Sequence, residues 1–302
     1  MIKLLQWSIS IGALCYALYG IDINHLLQSI KKYTFFSMFC VLSVLFLDYF
    51  CMSLRLKCLL PKDFNFKKSF LAIILCIGYN NLLPAKAGDA IKIAWIKNRS
   101  NLNYISVTSK ILWERCFDIV GLLCVSALAY TLADTGRSIL LPAIIFIIIL
   151  TCFFICRYWS QFFHHAYQKY LPQKIATFFS DFHANLIDNI SSKIIISGLI
   201  LTFLIWCNYL ASFYISINFV ANFNLNFAQI LTVFAITSIG TALPSSPGGL
   251  GIFEGAMVLS LSWLGINHND ALGIALFLHA VHFIPSAIGA IIIGNLTKKS
   301  RN

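Results

Sequence analysis

Residues 70–92 read FLAIILCIGYNNLLPAKAGDAIK, and residues 227–254 read FAQILTVFAITSIGTALPSSPGGLGIFE. Each opens on an apolar run that halts at a Leu-Pro pair, Leu83-Pro84 in one and Leu243-Pro244 in the other. Each then follows the pattern Leu-Pro-x-x-x-Gly, reaching Gly88 and Gly248, with the two copies 160 positions apart. A helix over 70–83 would be only about 21 Å long, short of the roughly 30 Å of a bilayer's hydrocarbon core. The run 227–243 is similarly short and carries Gln229, Thr237, Ser238 and Thr241. Short helical stretches follow at about 89–98 and 250–264, and then a long apolar segment in each half. The expectation is two broken helical pairs, interrupted around Asn80, Asn81 and Pro84 in the first and around Pro244 and Pro247 in the second. A helix break leaves backbone N–H and C=O groups unpaired. Within a membrane such groups must face protein or a water-filled cavity. Gly248, Gly249 and Gly251 allow the backbone to approach a ligand closely, and a helix N-terminus after Pro247 offers partial positive charge.

Working outward, the chain of 302 residues is 59% hydrophobic, 11% charged and 15% aromatic, with a mean hydropathy of +0.81. Soluble domains carry about 25% charged residues. These values exclude an ordinary soluble enzyme, a disordered chain and a disulfide scaffold. They point to an all-α polytopic membrane protein. Apolar segments at about 4–20, 33–54, 104–132, 139–156, 194–218 and 271–296 predict about six full transmembrane helices beside the two broken pairs. The first, from Met1, is expected to be a retained helix rather than a signal peptide. The whole of 1–302 is expected to be one integral-membrane domain, with repeat halves at about 33–156 and 157–296.

The 22 Lys and Arg against 11 Asp and Glu give a net charge of +11. With the N-terminus inside, seventeen of those cations fall on the cytoplasmic side and three outside. That bias predicts cytoplasmic N- and C-termini in a bacterial inner membrane. The count is the same for a short pair that re-enters and for one that crosses. With each pair re-entering, the first enters from the cytoplasm and the second from outside, which is an inverted repeat. Such paired, Pro/Gly-interrupted segments mark the binding site of transporters. In 157–193, Ile175, Phe178, Phe179, Phe182, Leu186 and Ile190 share one helical face. This predicts a cytoplasmic helix at about 175–190, lying in the membrane interface or packed on the bundle. No basic run of the nucleic-acid-binding kind is seen.

Four ionisable residues crowd one predicted helix: Lys110, Glu114, Arg115 and Asp118. Intramembrane charges face a bundle interior, or pair with each other along the helix. Lys86, Asp89 and Lys92 in the first broken pair make a shared cavity the favoured reading. Glu254 has no basic neighbour in sequence and needs a partner, a proton or a cationic ligand. Asp48 is expected to pair with Arg55. His279 and His282 are expected to be core residues rather than metal ligands, and the ten cysteines to be buried apolar groups. No metal, cofactor or catalytic nucleophile is expected.

At these residues a resemblance appears. Asn80-Asn81-Leu82-Leu83-Pro84-Ala85-Lys86-Ala87-Gly88-Asp89-Ala90-Ile91-Lys92 resembles the N-N-x-L-P-x-R-x-G-[DE]-x-x-R signature of the lysylphosphatidylglycerol synthase transmembrane family. Glu114-Arg115-x-x-Asp118 resembles that family's E-R-x-x-D, and Leu243-Pro244-x-x-Pro247-Gly248-Gly249-x-Gly251-x-x-Glu254 its L-P-x-x-P-G-G-x-G-x-x-E. The resemblance covers nearly the whole chain. It implies a flippase-like protein that handles membrane lipids, anionic or lipid-linked. Lys86 and Lys92 stand where the family has Arg, which keeps the charge but loses the bidentate fork. The soluble lysyl-transferring domain of full-length synthases has no counterpart in these residues, so aminoacyl transfer is not implied. The expected function is translocation of a phospholipid or lipid-linked headgroup. A phosphate is expected near Lys86, Lys92 and Arg115. The alternatives are a carrier of a small soluble anion, a docking partner for a lipid synthase or glycosyltransferase, and an integral-membrane transferase.

Overall fold

A computed structural model describes residues 2–133, 147, 151, 160–188, 190–243 and 246–299. Among them every regular element is helical. Helix α1 is Ile2–Leu18, α2 Ile23–Lys31, α3 Phe35–Leu59, α4 Phe66–Leu82, α5 Ala87–Lys97 and α6 Tyr104–Leu132. After residue 160 come α7 Ser160–Tyr170, α8 Gln173–His183 and α9 Ser192–Tyr214. They are followed by α10 Phe227–Ala242, α11 Ile252–Trp263 and α12 His268–Lys299. The span expected at 139–156, like Pro244 and Ser245, lies outside the described residues apart from 147 and 151.

Side-chain caps set most helix starts. Thr34, Asn65, Asn103, Ser191 and Asn226 each accept a backbone N–H of the first turn of α3, α4, α6, α9 and α10. Asn65 explains why α4 begins at Phe66 rather than at Phe70, which lengthens it to 17 residues. At about 25 Å it is still short of the hydrocarbon thickness. Helix α10 has 16 residues.

Among the described residues three segments are long and apolar enough to cross a membrane: Phe35–Leu59, Ser192–Val220 and His268–Thr297. Their outward residues are large and apolar at helical spacing, as in Ile196, Ile200 and Phe203 on α9 and Ile284, Ile288 and Ile291 on α12. Their inward residues mix large apolar side chains, such as Leu56, Ile205 and Leu278, with small or polar ones, such as Ser53, Thr202, Ser286 and Ala290. At the crossing of α4 and α12, Gly78 lies against the backbone of Ser286 and the methyl of Ala290. An apolar exterior on long apolar helices, with small residues where helices cross closely, is the arrangement lipid favours, and the chain is an integral membrane protein.

The packing pairs the two halves. Helix α3 lies along α9, α4 along α12, and α10 along α6. Within each half the short helices pack as consecutive pairs, α4 on α5 and α10 on α11. The turn at Pro84–Lys86 touches the turn at Pro247–Gly249.

The interfacial helix expected at about 175–190 is not continuous. Helix α8 ends at His183 and passes into one wide π-type turn, Ala184–Asp188. The expected face divides accordingly. Ile175, Phe178 and Phe179 are exposed, whereas Leu186 and Ile190 pack against Trp113 and Phe117 of α6. The Trp113 indole N–H donates to the Leu186 carbonyl at 2.7 Å, which anchors the turn to the bundle.

Candidate functional site: a charged cavity where two helix breaks meet

The first break is held by Asn80. Its Oδ1 accepts the Gly88 N–H at 2.8 Å, across the turn that separates α4 from α5. Lys86 is left-handed there (φ 53°), a conformation that costs a non-glycine residue about 1 kcal/mol. The turn aims Lys86 at the cavity, where it is exposed and makes no ion pair among the described residues. Asn81 donates to Ser286 Oγ at 2.7 Å and so joins α4 to α12.

The second break is built from glycine. Gly248, Gly249 and Gly251 all have positive φ, at 66°, 73° and 85°. Helix α11 begins only at Ile252, so Pro247 opens a separate short turn rather than the helix. The expected anion site at this helix N-terminus is already filled. Glu254 Oε2 accepts the Gly251 N–H at 2.7 Å, supplying the chain's own negative charge. Gly251 packs on the backbone of Ser10 in α1 and does not line the cavity.

Glu254 finds its partner 25 residues on. Its Oε1 lies 2.5 Å from His279 Nδ1, and His279 Nε2 donates to the Gly248 carbonyl at 3.0 Å. His279 is thus not a mere core residue. It ties α12 to both ends of the glycine turn.

Ion pairs between helices, more than along one helix, satisfy the remaining charges. Lys92 Nζ and Glu114 Oε2 lie 2.8 Å apart with side chains 3% and 2% exposed. Arg115 bonds to Asp89 and, at 3.2 Å, to Asp118. Asp118 also accepts from Arg55 Nη2 at 2.7 Å, and Arg55 Nη1 donates to Thr202 at 2.9 Å. The expected Asp48–Arg55 pair therefore does not form. Asp118 lies closer to the guanidinium than a carboxylate two turns away on α3. Lys110 stands apart, lining none of these cavities and making no ion pair among the described residues.

Two chambers open on these groups. One, of about 550 Å³, runs from Lys86, Asn81 and Arg115 along an aromatic wall that includes Trp206, Phe234 and Phe283. The other, of about 480 Å³, shares Lys86, Asn81, Arg115 and Gly248 and adds Asn80 and Gly249. A smaller space of about 210 Å³ lies behind them beside Lys92, Glu114 and Asp118. Of the expected site residues, Gly88, Asp89, Gly251 and Glu254 support the cavity from behind, and Pro84 and Pro247 shape its turns. Sequence reading missed Arg55, Tyr209, His279 and His282 as site residues. Each is a polar group inside an apolar run, which was the available signal.

A family model described as "Lysylphosphatidylglycerol synthase TM region" matches residues 3–289. Neither a curated protein nor a solved structure matches the chain.

Proposed function

The chain belongs to the lysylphosphatidylglycerol synthase TM-region family, and from that premise we propose that it binds an anionic phospholipid or lipid-linked headgroup and moves it between leaflets. One observation carries the reading: Lys86, unpaired among the described residues, projects into a cavity made where the two helix breaks touch. Every other cation of that cluster is already bound to a carboxylate, so Lys86 is the charge left for a ligand. Arg115, 40% exposed, stands beside it with two carboxylates to orient it. A phosphate at Lys86 and acyl chains along the aromatic wall match the polar and apolar parts of one lipid.

In this reading the two breaks belong to an inverted repeat. The reciprocal packing of α4 on α12 and α10 on α6 supports it, as does the contact between the two turns. Each half then gates the cavity from one side of the inner membrane, with the termini cytoplasmic. The reading assigns the chain no chemical reaction.

The test is the lipid that stays bound. Protein purified in mild detergent is expected to carry an anionic or phosphate-linked lipid enriched over the bulk membrane by mass spectrometry. Lys86→Gln is expected to lose that enrichment with little change in melting temperature, because Lys86 is exposed and breaks no pair. A bulk-membrane profile in both proteins overturns the lipid reading and favours a soluble anion.

A further inference from the structure

The hydrogen bonds of His279 require a proton that its neutral form lacks. The Gly248 carbonyl can only accept, so Nε2 at 3.0 Å must carry a hydrogen. Nδ1 then faces Glu254 Oε1 at 2.5 Å. Two bare lone pairs do not approach so closely, so a second hydrogen lies between them. The other carboxylate oxygen, Oε2, is committed to the Gly251 N–H. Whether drawn as imidazolium and carboxylate or as imidazole and carboxylic acid, the pair holds one proton more than neutral histidine with ionised glutamate.

We propose that Glu254 and His279 form the binding site of a coupling proton, and that this proton latches the Gly248–Gly251 turn. With the proton bound, His279 holds the Gly248 carbonyl while Glu254 holds the Gly251 N–H. Release leaves a neutral imidazole with one N–H and sends the proton to cavity water. That N–H can serve Glu254 or Gly248, not both, so the turn loses one of its ties. The same turn touches Pro84–Lys86, so the latch acts where the two halves meet. Coupling of this proton to lipid movement rests on the function proposed above; the proton site itself does not.

The surroundings are defined. Phe253 and Phe283 pack on the His279 ring, with centroids 4.8 and 5.9 Å away. His282, three residues on, stacks on Tyr209 of α9, and Tyr209 faces Asp48 of α3. Lys86, Arg115 and Asp118 share the cavity with His279. Lys32, just after α2, and Asp270, with His25 of α2, lie at the far end of α12. Glu254 is the carboxylate bonded to the ring, and it alone sits on the turn's helix.

The first measurement is hydrogen–deuterium exchange of residues 246–254 in the full-length protein in nanodiscs, corrected for intrinsic exchange. Between about pH 6 and about pH 9 the wild type is expected to lose about tenfold in protection. Glu254→Gln mimics the protonated acid, its amide donating to Nδ1 while its carbonyl accepts Gly251 N–H. It is expected to stay protected at both values, and His279→Phe to be unprotected at both. Equal wild-type protection across that range overturns the site, as does a wild-type response in Glu254→Gln. The second measurement is movement of nitrobenzoxadiazole-labelled phosphatidylglycerol in vesicles with an imposed pH gradient. The wild-type rate is expected to change about fivefold with the gradient and the Glu254→Gln rate not at all. The same gradient response in both proteins overturns the coupling. If the wild type moves no labelled lipid at any pH, the lipid reading fails, and the exchange measurement still decides the proton site.

Discussion

Lys92→Met is expected to destabilise the protein by about 3–5 kcal/mol, because it leaves the Glu114 carboxylate buried without its cation. Both side chains are almost wholly enclosed, and the 2.8 Å contact between them joins α5 to α6. The double variant Lys92→Met with Glu114→Leu removes both charges and is expected to recover most of that loss. Melting temperature in detergent reads all three proteins. If the double variant is no more stable than Lys92→Met alone, the two residues are not paired. Lys92, expected near a phosphate, is committed to Glu114 in this structure. A binding experiment that neutralises Lys92 together with Lys86 would confound unfolding with lost affinity.

Gly88→Ala is expected to cost about 1–3 kcal/mol and to abolish lipid enrichment as well. A Cβ on Gly88 collides with the Cys76 carbonyl and lies 2.7 Å from Asn80 Oδ1. Both belong to the neighbouring helix of the same pair, so α5 must move away from α4. That displacement carries Lys86, Asp89 and Lys92 with it. Gly12→Ala is the control: nothing lies within 4 Å of a Cβ there, and α1 is helical at that position. Alanine is the better helix former, so that variant is expected to hold or gain stability. Equal effects of the two substitutions would contradict the close approach of α4 and α5.

Much of this molecule is legible in local sequence. Apolar runs of twenty or more residues dictate helices that face lipid, and α6 spans 104–132 as its hydropathy predicts. Breaks at Leu83-Pro84 and across Gly248–Gly251 follow from proline's missing N–H and glycine's left-handed backbone, both local properties. The motif residues around Asn80–Lys92, Glu114–Asp118 and Pro247–Glu254 also converge on one region, as their chemistry requires.

Pairing is not legible in that way. Arg55 is seven residues from Asp48, yet its guanidinium reaches Asp118 on another helix. Glu254 has no cation near it in sequence, and its partner is a histidine that local reading assigns to the core. The physical reason is range. Backbone propensity, capping and the cost of burying polar surface act over one helical turn, so composition and spacing determine which segments are helices and where they break. Which buried charge meets which depends on helix packing, set by contacts such as Gly78 against Ser286. Those contacts join residues far apart in sequence. The sequence by itself therefore determined a broken-helix membrane bundle with costly intramembrane charges. Only the tertiary structure decided that Lys86 is left unpaired among the described residues while Lys92, Arg115 and Glu254 are held.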